Sequence, residues 1–279
     1  MKKLWLFTVF VLLILMIRLS LYFVKNMNSP AAQAGMAMIA VNNSRLPDAA
    51  KIIAYFKTKW PMDQQPSRVT VRSSQITFSL GDKLCGIYYL PAPIHRHQLA
   101  EPCRYAWRWP AAMKDMERHR AHITVGVMGG ENGDPVAASI VLTELVSAVL
   151  ANTDAVGVYW GAGPAVSSAR FFREKTRGMD GAHLPLELWI GFRAGRTKNG
   201  LSYVCTKGMV SYGKKEIEMR SPVEKPKALQ QAALEAAHCF FTGAPGSEAD
   251  AMKMLPVPHS RIYIGPSLYN KAQKVIVIE

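Results

Sequence analysis

The sequence predicts an α+β fold of mixed and antiparallel sheets with packed helices, preceded by one transmembrane helix. Three observations carry that reading. Short β-patterned segments bounded by Gly, Pro, Asn and Asp recur along most of the chain, interrupted by a few helical stretches. Several strands are joined as hairpins, which favours α+β packing over a doubly wound parallel sheet. The first residues, MKKLWLFTVFVLLILMIRLSLYFVKN, form an apolar run unlike anything after them.

Leu4 to Val24 is apolar apart from Thr8, Arg18 and Ser20. About 20 helical residues at ~1.5 Å each span roughly 30 Å, the thickness of a bilayer's hydrocarbon core. Lys2, Lys3 and the terminal amine precede the run, and Lys25 and the more distant Arg45 follow it. By a margin of about one or two charges, that asymmetry favours a cytoplasmic N-terminus and a translocated domain. Arg18 would cost about 2.5–3.5 kcal/mol at the bilayer centre, but near the end of the run it can snorkel to the interface. Two other readings compete: a signal peptide with Leu4–Ile17 as its apolar region and Ala32-Gln33-Ala34 as cleavage site, or translation from Met27 or Met36. The long apolar stretch beyond Ile17 favours the anchor. The predicted organisation is an anchor over residues 1–25, a linker over 26–35, and α+β subdomains over 36–180 and 181–279. It places the protein in a bacterial inner membrane as a single-pass chain, its domain in the periplasm, with the cytoplasmic side as the alternative.

Met36–Val41 reads as a short apolar strand. Pro47 to Trp60 spaces Ala49, Ile52, Ile53, Phe56 and Trp60 as on a helix, with Pro47 suited to the first turn. Val69/Val71 and Ile76/Phe78/Leu80 alternate with polar residues as half-buried strands do, and Gly81-Asp82 turns the chain into a strand over Lys83–Leu90. Pro91, Pro93, Pro102 and Pro110 punctuate an irregular stretch, and Pro110–Arg120 suits a short polar helix. His122–Met128 is a strand, followed by a loop over Gly129–Gly133. Asp134-Pro135 opens the strongest helix, with Asp as N-cap, Pro at the first position, and an apolar face wide enough for burial on most sides. Ala155–Trp160 is a strand and Ser167–Lys175 a helix. Leu186–Phe192 and Leu201–Cys205 read as an antiparallel pair joined by Asn199-Gly200. Met209–Tyr212 and Glu216–Met219 follow as short strands and Pro226–Phe241 as a helix ended by Gly243. Ser260–Gly265 and Lys274–Ile278 close the chain as strands.

The formal charge of +14 suits an acidic protein, anionic lipid or nucleic acid. The positive residues are scattered, without the aromatic–basic alternation of single-strand binders. An acidic protein partner and the bilayer, met through Leu4–Val24, are therefore expected in preference to nucleic acid. Cys85, Cys103, Cys205 and Cys239 contain no C-x-x-C pair, which argues against zinc. Buried free thiols are the plainer reading; in an oxidising compartment a disulfide is the alternative, with Cys85–Cys103 closing the shortest loop.

Val156–Ser168 runs from a strand through Trp160, Gly161 and Gly163 to Ser167 and Ser168 at a helix start, where backbone amides can cradle an anion. It lacks the Lys-Ser/Thr of a P-loop and the spacing of a dinucleotide fingerprint, so a tight turn is the competing reading. His122 is a second candidate, close to His119 and downstream of His95 and His97. No carboxylate or cysteine stands beside these histidines at a ligand spacing, so neither a metal nor another cofactor is expected. Tyr105, Trp107 and Trp109 form an aromatic cluster equally compatible with a binding surface and with core under a loop. Ser139, Ser167 and Ser168 lie in no G-x-S-x-G elbow, and no catalytic residue is assigned. Glu216, Glu218 and Glu235 read as solvated faces.

Five stretches, taken as a set, carry a resemblance. They are LPAPIHRHQLAEPCRYAWRWPAA (Leu90–Ala112), HRAHITVGV (His119–Val127), VGVYWGAGPAVSSARFF (Val156–Phe172), LPLELWIGFR (Leu184–Arg193) and TKGMVSYGKKEIEM (Thr206–Met219). From Met36 to the C-terminus the chain resembles the bacterial family known as domain-of-unknown-function 4261. The anchor departs from that family's typical members. The resemblance brings no catalytic residues and implies an immunity, adaptor or accessory role beside polymorphic-toxin and type VI secretion systems. Three functional expectations follow. The first is a membrane-held, non-enzymatic protein-binding module. The second is a hydrolase or transferase using the Gly161–Ser168 turn with His122, and the third a structural docking subunit of an envelope complex.

Overall fold

The first strand, β1 (Met36–Val41), lies inside a sheet, antiparallel to β5 (Ala121–Gly129) on one side and β6 (Ala155–Trp160) on the other. Beyond β5 come β4 (Lys83–Leu90), β3 (Gln75–Leu80) and the edge strand β2 (Ser67–Arg72); beyond β6 comes β7 (Ala165–Ser168). The seven-stranded order is therefore β2-β3-β4-β5-β1-β6-β7, with every pair antiparallel. The computed structural model describes residues 35–279 apart from 43–44, 61–64, 130–132, 180–182, 243–251 and 253–259. The predicted anchor Leu4–Val24 and the helix stop at Gly243 lie outside the described residues. Among those described, no helix is long and apolar enough to cross a membrane.

Helices cover both faces of this sheet. On one face α1 (Ala49–Lys59) buries Ile52 and Phe56; on the other, α2 (Arg96–Arg104) and α3 (Ala112–Met116) bury Leu99, Cys103 and Met116 over Ala40. Asp48 rather than Pro47 starts α1, its Oδ1 accepting from the Ala50 and Lys51 amides at 2.8 and 3.3 Å. The longest helix on the α1 side is α4 (Pro135–Ala151), capped by Asp134 through the Val136 amide at 2.8 Å. Leu142, Leu145, Val146, Val149 and Leu150 are fully buried there. Each contributes about 1.5–3 kcal/mol by leaving water. A polar stripe at i, i+4 and i+8 interrupts this apolar helix. Ser139 bonds the Tyr212 hydroxyl at 3.0 Å, Thr143 accepts from Trp189 Nε1 at 2.8 Å, and Ser147 meets Thr176 at 3.3 Å.

After α5 (Ala169–Thr176) and the single turn α6 (Leu186–Trp189), a second sheet forms from β8 (Gly191–Arg196), β9 (Ser202–Lys207), β10 (Ile217–Ser221), β11 (Ile262–Pro266) and β12 (Lys274–Ile278). Its order is β11-β12-β10-β9-β8; only β10 and β12 run parallel. The β8–β9 hairpin turns at Asn199-Gly200, where Gly200 takes φ +82°, a value that favours glycine. Helix α7 (Pro226–Thr242) covers the sheet. One continuous apolar cluster reaches from Ala37 to Ile278. At its centre Trp160 and Trp189 stack at 6.1 Å, and Trp189 and Tyr212 at 5.9 Å.

Several elements differ from the sequence reading. Leu186–Phe192 is not one strand: Leu186, Leu188 and Trp189 are all buried on the α6 turn, against β7 and α7, and β8 starts only at Gly191. Met209–Tyr212 is a 3-10 turn, because Gly208 and Gly213 flank it with φ +120° and +70°, which end an extended strand. Ser167 and Ser168 belong to β7, and α5 begins after them, with Ser168 Oγ capping the Phe171 amide at 3.2 Å. Every residue of β2 is exposed, as an edge strand with no layer against it permits, so Val69 and Val71 are not half-buried. Within Pro110–Arg120 only Ala112–Met116 is helical. The Cys85–Cys103 alternative fails on placement: all four thiols are free, and these two sit in different apolar clusters on opposite faces of the sheet.

Candidate functional site

Between α2 and α3 the chain makes a tight passage through Trp107-Arg108-Trp109. Trp109 packs closely against β6 because residue 157 is glycine; a Cβ there would come within 2.7 Å of the indole. Its Nε1 donates to Asp115 Oδ2 at 3.0 Å, which fixes the ring from the other side. Trp107 packs edge-on against Phe192 with ring centroids 6.3 Å apart, and the Arg108 guanidinium lies 3.8 Å from the Trp107 ring centroid. Such cation–π stacking orients the guanidinium without neutralising it.

Two adjoining depressions share Arg108, Trp109 and Ser168. The inner one is a slot of about 20 Å³ between Trp107, Ser167 and the Gly191–Arg193 strand start, space on the scale of a water molecule. The outer one is an open groove of about 730 Å³ rimmed by Arg108, Arg118, Arg170 and Arg173, with Trp109 in its lining. Asp115 is its one carboxylate among the described residues, and Trp109 already holds it. Arg170 is highly exposed and only 3.8 Å from Glu174; Arg173 donates to the Leu150 carbonyl at 3.1 Å, the end of α4. Arg108 also reaches Gln231 at 3.0 Å and Glu187 at 3.5 Å. Among the described residues, no histidine lines either depression. Ser168 is engaged as a helix cap, so no nucleophile–base pair is formed. The chemistry on offer is charge-assisted hydrogen bonding from guanidinium groups to carboxylate or phosphate.

The fold thus brings Trp107, Trp109, Ser167 and Ser168 together and leaves the other candidates elsewhere. Trp160 is buried in the aromatic stack. Gly161 and Gly163 form the β6–β7 turn, where the two sheets touch: a Cβ on Gly163 would lie 2.0 Å from the Trp189 carbonyl oxygen and 2.9 Å from that of Lys207. Backbone fills the space a ligand would need at Gly163. His122 stands opposite Ala40, whereas the Gly161 amide bonds Met36, four residues back along β1 and roughly 13 Å away at strand spacing. The His122 ring bonds the Ala92 carbonyl through Nδ1 at 2.6 Å, and burial lowers its pKa, aided by neighbouring His119 and His95. His119 is fully used, accepting from the Ile94 amide at 2.7 Å and contacting the Met116 carbonyl. Among the described residues, no group of three or more His, Cys, Asp or Glu is placed to hold a metal ion.

Sequence reasoning missed the groove arginines, which come from three separate segments. The only local signal was Trp-Arg-Trp at 107–109, together with Arg170 and Arg173 at i, i+3. It also misplaced Glu216 and Glu218, which are buried. Glu216 accepts from Thr206 and the Gly208 amide at 2.7 Å each, and Glu218 from Ser267 at 2.5 Å and the Leu268 amide at 2.9 Å. Both carboxylates brace loops of the second sheet. A third missed group, Glu101, joins the halves of the molecule through Arg193, Lys207 and Tyr269. No protein-family model, curated protein or solved structure matches the chain.

Proposed function

We propose that the chain is a membrane-anchored, non-enzymatic module that binds an acidic segment of a partner protein in the arginine-rimmed groove. The groove carries this reading: Arg108, Arg118, Arg170, Arg173 and Trp109 line it, and its one carboxylate among the described residues, Asp115, is already bonded to Trp109. Guanidinium groups beside indole rings are the side chains that dominate protein interfaces. The apolar run Leu4–Val24 supports the anchor, and its charge asymmetry supports a periplasmic domain. The resemblance to the domain-of-unknown-function 4261 family supports an immunity or accessory role beside a bacterial toxin or type VI secretion system.

A photo-crosslinking residue at Arg170 in the full chain, expressed in bacterial membranes, tests the groove. The same residue at Val223, which is 84% exposed, serves as control. The expected result is a partner captured at 170 and not at 223, through a peptide rich in Asp and Glu, and lost with Arg118→Glu. Equal capture at both positions, a crosslinked peptide without carboxylates, or capture abolished by nuclease would overturn the reading.

A further inference from the structure

One corner of the first sheet has an apolar surface without a covering layer among the described residues. Cross-strand partners share a face, so the register Ser79–Leu84–Met128 places Leu84 and Met128 side by side on the α2–α3 face. Those helices pack over β6 and β7 and do not reach this row. Leu84 and Met128 are 46% and 43% exposed. Tyr88 leans along its strand toward them, its ring lying over Gly86 where a Cβ would be 2.5 Å from a ring carbon. The adjacent turn carboxylate, Asp82, is paired with Lys83 at 3.4 Å.

The same corner is where the chain enters the domain. The Gly35 carbonyl accepts from the Val127 amide at 2.8 Å, one residue from Met128. Only residues 25–34 separate Gly35 from the apolar run that ends at Val24. Even fully extended, that connection spans at most roughly 40 Å, so the corner stays near whatever holds Leu4–Val24.

We propose that the Leu84–Met128 corner seats the domain on the surface of the bilayer that holds Leu4–Val24, a proposal that rests on the membrane reading above. Leucine and methionine suit the boundary between headgroups and acyl chains, and a tyrosine with an apolar body and a polar tip suits the same depth. β1 then leads away from the membrane toward Asn42, which lines the arginine groove, roughly 20 Å farther out at strand spacing. The seat presents the groove outward.

The test uses the full chain in phosphatidylethanolamine–phosphatidylglycerol vesicles whose lipids carry bromine high on the acyl chain. A fluorophore is attached through Leu84→Cys, Met128→Cys or, as control, Val223→Cys, each in a Cys239→Ala background because the other native thiols are buried. Strong quenching at 84 and 128, with little at 223, is the expected result. If the chain floats with the vesicles but 84 and 128 are quenched no more than 223, the seat falls and the anchor stands. If the chain does not float, both fall. Disulfide-linked dimers through Met128→Cys without lipid quenching would assign the corner to a second copy and also overturn the seat.

Discussion

Two arginines that follow the short strand β7, one in β8 and one in α5, do opposite jobs. Arg193, before which the chain turns into β8, is 1% exposed. It donates to Glu101 at 2.7 Å and to the Pro164 carbonyl at 2.7 Å, and lies 5.3 Å from the Tyr105 ring centroid. Arg170, just after β7, is 85% exposed at its side chain, and among the described residues its one ion pair is a long contact to Glu174. The first charge is satisfied by the protein and fixes its two halves; the second remains available to something else. Counting positive residues in the sequence cannot separate these cases, because the difference lies in which carboxylates and carbonyls the fold delivers to each guanidinium.

Breaking the buried side of this comparison should have the largest effect. Arg193→Ala removes the buried partner of Glu101, leaves the Pro164 carbonyl without its donor and empties the space beside the Tyr105 ring, and should lower stability by about 3 kcal/mol in chemical denaturation. A loss under about 1 kcal/mol would mean the cluster is not structural.

Glu144 sharpens the comparison as a buried acid whose Oε2 has no hydrogen-bond partner among the described residues. Burial pushes its carboxyl up to about 8. Because the folded value is raised, the protonated acid is favoured on folding, and stability falls as pH rises from about 4.5 toward 8. Glu144→Gln should therefore gain about 2 kcal/mol at pH 9 and be neutral at pH 4, as melting curves would report.

Glu101 behaves in the opposite sense. Burial alone would raise its carboxyl, but hydrogen bonds from Arg193 and Tyr269 and the charges of Arg193 and Lys207 outweigh it and hold the value at about 2. Its contribution is present above about 4.5 and is lost as pH falls toward 2. Glu101→Gln should flatten that acid limb at a cost near neutral pH of about 1 kcal/mol, a modest figure because solvent screens the half-exposed carboxylate.

The smallest stability effect belongs to the groove. Arg170→Glu and Arg118→Glu should change unfolding free energy by no more than about 0.5 kcal/mol. The same substitutions should weaken salt-sensitive binding of an acidic partner peptide by roughly tenfold or more, measured by calorimetry. Stability loss without a binding change would reverse the roles assigned to the two sets of arginines.

What the sequence made legible were features encoded within a few residues. Asp134-Pro135 announced α4, and Asn199-Gly200 marked the β8–β9 turn. Leu186–Trp189 was not legible, since Leu186, Leu188 and Ile190 alternate as on a strand while the helical turn is imposed by packing against β7 and α7. Glu216 and Glu218 alternate with Ile217 and Met219, a pattern that normally means one wet face. Here that face is covered by the Thr206–Met209 turn and by Ser267–Tyr269, the latter arriving about fifty residues later. The aromatic half of the candidate site was visible as Trp107 and Trp109. Its cationic half was not, because Arg118, Arg170 and Arg173 converge only when α3 and α5 dock on the same end of the sheet.

The central place of β1 has a consequence for how the chain folds. Ala37 pairs with Val125 and Trp160, at separations of 88 and 123 residues. Large sequence separations slow folding because each loop must close before its contact repays the lost entropy. This strand leaves the ribosome well before either neighbour, and most of the first sheet must be synthesised before it is held on both edges. Once held, it has no local way out: the Ile39 amide should exchange with solvent only when the whole domain unfolds, whereas amides of the exposed strand β2 exchange through small openings.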